Sequence, residues 1–170
     1  DGAVGSTDAL GALLINSATN VTIDSTVDAN SITQSAGAGA LTVSGAMTAL
    51  TGAIDLTSEE IDLDASLRTF GALVALNPVT GGLHLHTAAE IKTTAAADTG
   101  TASGAIDIDA SGPVVLAGDL MTTGANNSGG EGSVGGAITV TSDNQSVTVT
   151  GNLTTSGGAS SSADTAGGSA

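Results

Sequence analysis

The chain has 170 residues, and its 17 acidic side chains against two basic ones, Arg68 and Lys92, give a formal charge of −15. Phosphate recognition needs clustered Lys and Arg, so no nucleic acid is expected as a partner, and an anionic membrane surface is disfavoured on the same ground. No apolar run reaches the roughly 18 residues that a spanning helix requires, so no membrane insertion is expected, and the absence of cysteine excludes disulfides and thiolate metal sites.

Phe70 is the sole aromatic residue, and 25 glycines dilute the Val, Ile, Leu and Ala. Wide cores lean on aromatics, each of which buries about 150–250 Å². This composition suits a narrow core repeated many times.

Apolar residues alternating with polar ones mark short strands, and their recurrence marks a repeat. The first unit is the pair Leu13/Ile15, the triplet Val21-Thr-Ile23, and Val27 six residues beyond Val21. The second is Ile32, Leu41-Thr-Val43 and Met47, and the third is Ile54/Leu56, Ile61-Asp-Leu63 and Leu67. The fourth is read as Leu83/Leu85, Ile91-Lys-Thr93 and Ala97. Ile106/Ile108, Val114-Val-Leu116 and Leu120 form the fifth, and Ile138/Val140, Val147-Thr-Val149 and Leu153 the sixth. The middle triplets are spaced by 20, 20, 30, 23 and 33 residues.

Three short strands per unit predict an all-β fold, a parallel β-helix (β-solenoid) of about six rungs spanning 1–170 as one segment. Loops of variable length follow the third strand, with insertions at 71–82, 98–104, 122–136 and 156–170. Such insertions project from one side and leave stacking intact. Leu73-Val-Ala-Leu76 is expected as an extra strand or hairpin inside the first insertion, with a turn at Asn77-Pro78. Thr57-Ser-Glu-Glu60 and Thr87-Ala-Ala-Glu90 fit helix capping boxes, but the six-residue offset favours strand at both. Counting on from Leu153, the next unit would open just past Ala170, so the chain reads as a fragment of a longer array.

The units Gly136-Ala-Ile138-Thr-Val-Thr and Val147-Thr-Val-Thr-Gly-Asn-Leu153-Thr-Thr-Ser-Gly-Gly resemble the shafts of filamentous haemagglutinin-like exoproteins and of giant β-strand-repeat bacterial surface proteins. The resemblance implies a right-handed β-helix, export, and work as an adhesin or fibre, and it brings no catalytic residues with it. Asn77-Pro78-Val-Thr departs from the family's secretion-domain motif, an Asn-Pro followed by Asn-Gly-Ile.

The expected stacking places His84 between Asp55 and Asp107, His86 next to Asp109, and Asp62 beside Lys92. A metal held by His84, His86 and Asp109 competes with simple charge neutralisation of an acidic sheet, and neutralisation is the favoured reading. Alternating carboxylates at Asp62/Asp64 and Asp107/Asp109 would allow only weak calcium binding. Gly130-Glu-Gly-Ser-Val-Gly135 matches a dinucleotide pattern by letter but lacks the strand before and helix after that the mechanism needs. No catalytic, cofactor-binding or metal site is therefore assigned, and no cofactor or enzymatic activity is expected. The expected function is a non-catalytic structural segment of a secreted or cell-surface filamentous protein, a shaft or fibre in adhesion or cell–cell contact. Self-association or end-to-end stacking is expected, with a host or neighbour-cell surface or a glycan as a further partner. The runner-up is a carbohydrate-binding or polysaccharide-degrading β-helix protein.

Overall fold

The computed structural model describes residues 2–96 and 100–160. Among them there is no helix, and fifteen strands join in one sheet in which every pairing is parallel.

The pairings resolve into three ladders. The first runs through β1 (Leu10–Ile15), β3 (Val27–Gln34), β6 (Ile54–Leu63), β8 (Val74–Leu85), β10 (Ile106–Ala110) and β13 (Ile138–Ser142), in the register Leu13, Ile32, Ile54, Val74, Ile106, Ile138. The second uses β2 (Val21–Ile23), β4 (Ala40–Val43), the later parts of β6 and β8, β11 (Val114–Leu116) and β14 (Val147–Val149), in the register Val21, Leu41, Ile61, Leu83, Val114, Val147. The third joins the start of β3 to β5 (Met47–Ala49), β7 (Leu67–Thr69), β9 (Glu90–Thr94), β12 (Asp119–Thr123) and β15 (Leu153–Ser156), in the register Val27, Met47, Leu67, Ile91, Leu120, Leu153. Strands β3, β6 and β8 each serve two ladders, so the sheet turns corners within single strands.

Side chains alternate across a strand, and here the apolar set of all three ladders points into one core cluster. Ile54, Leu56, Ile61, Leu63, Leu67, Leu76, Leu85, Ile91, Ile106 and Ile108 are fully buried. Burying each such side chain contributes about 1.5–3 kcal/mol. Thr57–Glu60 lie within β6 and Glu90 opens β9, so neither capping box begins a helix.

Two features depart from the sequence reading. Residues 71–82, expected as a loop insertion, include much of β8: Val74 and Leu76 are buried and pair with Ile54 and Leu56. Leu83 and Leu85 consequently belong to the second ladder, against Ile61 and Leu63, and Ile91 belongs to the third. The six-residue offset fails in this unit alone, because a turn at Thr87–Ala88, closed by Ala89 N–H donating to His86 O at 3.0 Å, lengthens the connection to Ile91. Ala97, read as the third-strand residue, lies outside the described residues. Secondly, Val147 and Val149, expected in the core, are 43% and 42% exposed, and Ile138 and Val140 are half-buried. These side chains stack on β10 and β11 from one side, and no described strand covers the other.

The longer connections do follow the third ladder, between Thr94 and Ile106 and between Thr123 and Ile138. Of the 156–170 insertion, residues 161–170 lie outside the described residues. Three of the connections that follow the third ladder close in the same way. Buried Thr69, Thr93 and Thr122 donate their hydroxyls to the carbonyls of Ala72, Gly104 and Gly136, at 2.5, 2.5 and 2.6 Å. Every acceptor stands two residues before the first strand residue of the next unit, Val74, Ile106 or Ile138. The threonine thus pins the return of the chain whatever the length between.

Candidate metal centre

The second ladder brings together two matching tetrapeptides, Ile61-Asp-Leu-Asp64 and Leu83-His-Leu-His86. Period-2 alternation sends Ile61, Leu63, Leu83 and Leu85 inward, so Asp62, Asp64, His84 and His86 share the outer face. Asp62 pairs directly with His84. One residue beyond the strands, Asp64 N–H donates to Val43 O and His86 N–H to Leu63 O, at 2.9 and 3.0 Å, and these equivalent bonds hold the second pair in step.

The side chains converge on one carboxylate oxygen. His86 Nε2 donates to Asp62 Oδ1 at 2.8 Å and stands 3.2 Å from Asp64 Oδ1. His84 Nδ1 lies 3.8 Å from the same Asp62 oxygen. The imidazole centroids are 3.9 Å apart with the rings tilted by 36°. One donor atom each from Asp62, His84 and His86 falls within 4.8 Å of the others. The four side chains are 36–45% exposed, so their mutual attraction is screened by water and each pair contributes at most about 1 kcal/mol. A shallow hollow of about 180 Å³ opens beside His84, between Glu60, Gly82, Pro113 and Val115.

The partners expected from the sequence are not those found. His84 stands between Asp62 and Val115, whereas Asp55 and Asp107 flank Ala75 in the first ladder. Asp109 pairs with Thr141 and is not among the cluster's donors. Lys92 stands between Arg68 and Met121 in the third ladder, and it pairs with Glu90 at 3.8 Å. The signal for Asp62 and Asp64 was present in the alternation shared by the two tetrapeptides. Leu83 alternates equally well as a first-ladder residue, and that hides the match.

A second concentration of chemistry lies at the third ladder. Arg68 and Lys92, the two cations of the chain, are register neighbours. The Arg68 guanidinium sits 4.5 Å from the centroid of the Phe70 ring, a cation–π contact. A hollow of about 400 Å³ beside them is lined also by Thr94, Ala95, Thr123 and Asn126.

No protein-family model matches this chain, and no curated protein or solved structure matches it.

Proposed function

We propose that the three ladders are the faces of a right-handed parallel β-helix of about six rungs, and that the chain is a non-catalytic structural segment of a secreted or cell-surface filamentous protein. It would act as a shaft or fibre in adhesion or cell–cell contact. The observation that carries this reading is the continuous register of the three ladders, with apolar residues such as Leu41, Ile61, Leu83 and Val114 stacked inward from level to level. Such a stack grows by adding levels without changing its cross-section. The resemblance of its repeat unit to haemagglutinin-like shafts points the same way.

The partner most in keeping with this reading is another parallel strand. The outer edges of β13, β14 and β15 have no described strand beside them, and Val147, Val149 and Leu153 are exposed there. Open strand edges with apolar side chains template further pairing. Sedimentation and electron microscopy over rising protein concentration test this. Elongated end-to-end particles are expected, and Val149→Lys should shorten them. A strictly monomeric species at all concentrations would remove self-association from the proposal.

A carbohydrate-binding role is the second reading, and the Arg68–Phe70 hollow favours it. The hollow gathers a cation, an aromatic face and the Asn126 amide in a chain otherwise poor in such groups. Acidic glycans retained on an array by the native chain, and lost with Arg68→Ser, would favour this reading over a passive shaft.

A further inference from the structure

We propose that Asp62, His84 and His86, with Asp64 beside them, bind one divalent transition-metal ion of the nickel, copper and zinc group. The proposal rests on donor chemistry and on placement. Two imidazoles and the Asp62 carboxylate are donors of the kind that zinc, copper and nickel accept, with the Asp64 carboxylate reaching His86 alone, whereas calcium and magnesium seek oxygen alone. A tetrahedron with bonds of about 2.1 Å has edges of about 3.4 Å. The separations of 2.8 and 3.8 Å between Asp62 Oδ1 and the two imidazoles lie on either side of that edge, and all three donors fall within 4.8 Å of one another.

The backbone does the positioning. His84 lies in β8 and Asp62 in β6, while His86 and Asp64 stand one residue beyond the ends of these strands. Their strands are locked in register by continuous pairing through Ile61–Leu63 and Leu83–Leu85. A site on rigid paired strands holds its geometry better than one on loops. Its neighbours set its limits: Thr42 precedes Asp62 in the ladder, and Val115 follows His84. Neither adds an imidazole or carboxylate, so the set is confined to these two levels. The other Asp-x-Asp pair, Asp107/Asp109, stands beside Ala75, Thr139 and Thr141, with no imidazole in register, and serves as an internal control. An ion here would cross-link β6 to β8 on the outside of the core.

The test uses the whole chain without a polyhistidine tag. Isothermal titration with zinc, nickel and copper chlorides, in a buffer that does not coordinate metal, should give about one ion per chain. His84→Gln and His86→Gln should each weaken binding at least about tenfold, the lower end of what even an indirect metal contact costs. Asp107→Asn with Asp109→Asn should leave it unchanged. Electron paramagnetic resonance of the copper-loaded native chain should show imidazole nitrogen ligands, a readout that needs no variant to fold. Zinc binding no tighter than calcium binding, equal binding by the histidine variants, or a copper spectrum without nitrogen ligands would each overturn the proposal.

Discussion

The Thr122 hydroxyl donates to the carbonyl of Gly136 at 2.6 Å, across a connection of 14 residues. Thr93 makes the same bond to Gly104 across 11 residues, and Thr69 to Ala72 across three. A buried carbonyl left without a donor costs about 1–3 kcal/mol. Thr93→Val and Thr122→Val keep the shape and remove the hydroxyl, so each should lower stability by that amount in chemical denaturation. A loss below about 0.5 kcal/mol in both would mean that the threonines merely fill space.

Two of the acceptors, Gly104 and Gly136, tolerate no side chain. A Cβ on Gly136 would meet the Gly104 carbonyl oxygen, and one on Gly104 would meet the Ala72 carbonyl oxygen, both at about 2 Å. The obstacle is backbone of the adjacent level and cannot swing away. Gly104→Ala should destabilise by about 1–3 kcal/mol or more, the range for overpacking. Gly129→Ala, which meets only the Asn127 side-chain oxygen at 3.8 Å, should be nearly neutral. Thermal melts of the two variants make the comparison.

The assignment of β8 is open to a direct test. Leu76 is fully buried against Leu56 and Ile108, whereas Val79 is 46% exposed. Leu76→Ala should cost about 2–5 kcal/mol, as deletions in packed cores do. Val79→Ala should stay within about 0.5 kcal/mol, as exposed substitutions do. Similar small effects at both positions would return residues 71–82 to the status of a surface loop.

Without added metal, the Asp62–His86 pair should matter little to stability. Its side chains are 36% and 39% exposed, and exposed pairs rarely exceed about 1 kcal/mol. A double-mutant cycle of Asp62→Asn and His86→Gln measures the coupling. A value well above that limit would mean the pair is shielded from water.

Much of this architecture was legible in the sequence. Alternating triplets such as Val21-Thr-Ile23 and Val147-Thr-Val149 fixed the strand type, because side chains of a strand alternate in direction whatever lies around them. The offset from Val21 to Val27, repeated at five of the six units, fixed the second and third ladders, because short turns leave little freedom in length. The fourth unit escaped because Leu73–Leu76, Leu83–Leu85 and Ile91–Thr93 all alternate acceptably, and alternation alone does not say which strand lies beside which. Tertiary pairing decided it by burying Val74 and Leu76 against Ile54 and Leu56, and by admitting a longer turn at Thr87–Ala88. That decision moved His84 from Asp55 and Asp107, and His86 from Asp109, to Asp62 and Asp64. The sequence determined that two imidazoles share one outer face, since they are two residues apart in a strand. Only the register between strands, set by the burial of apolar residues on the opposite face, determined which carboxylates they meet.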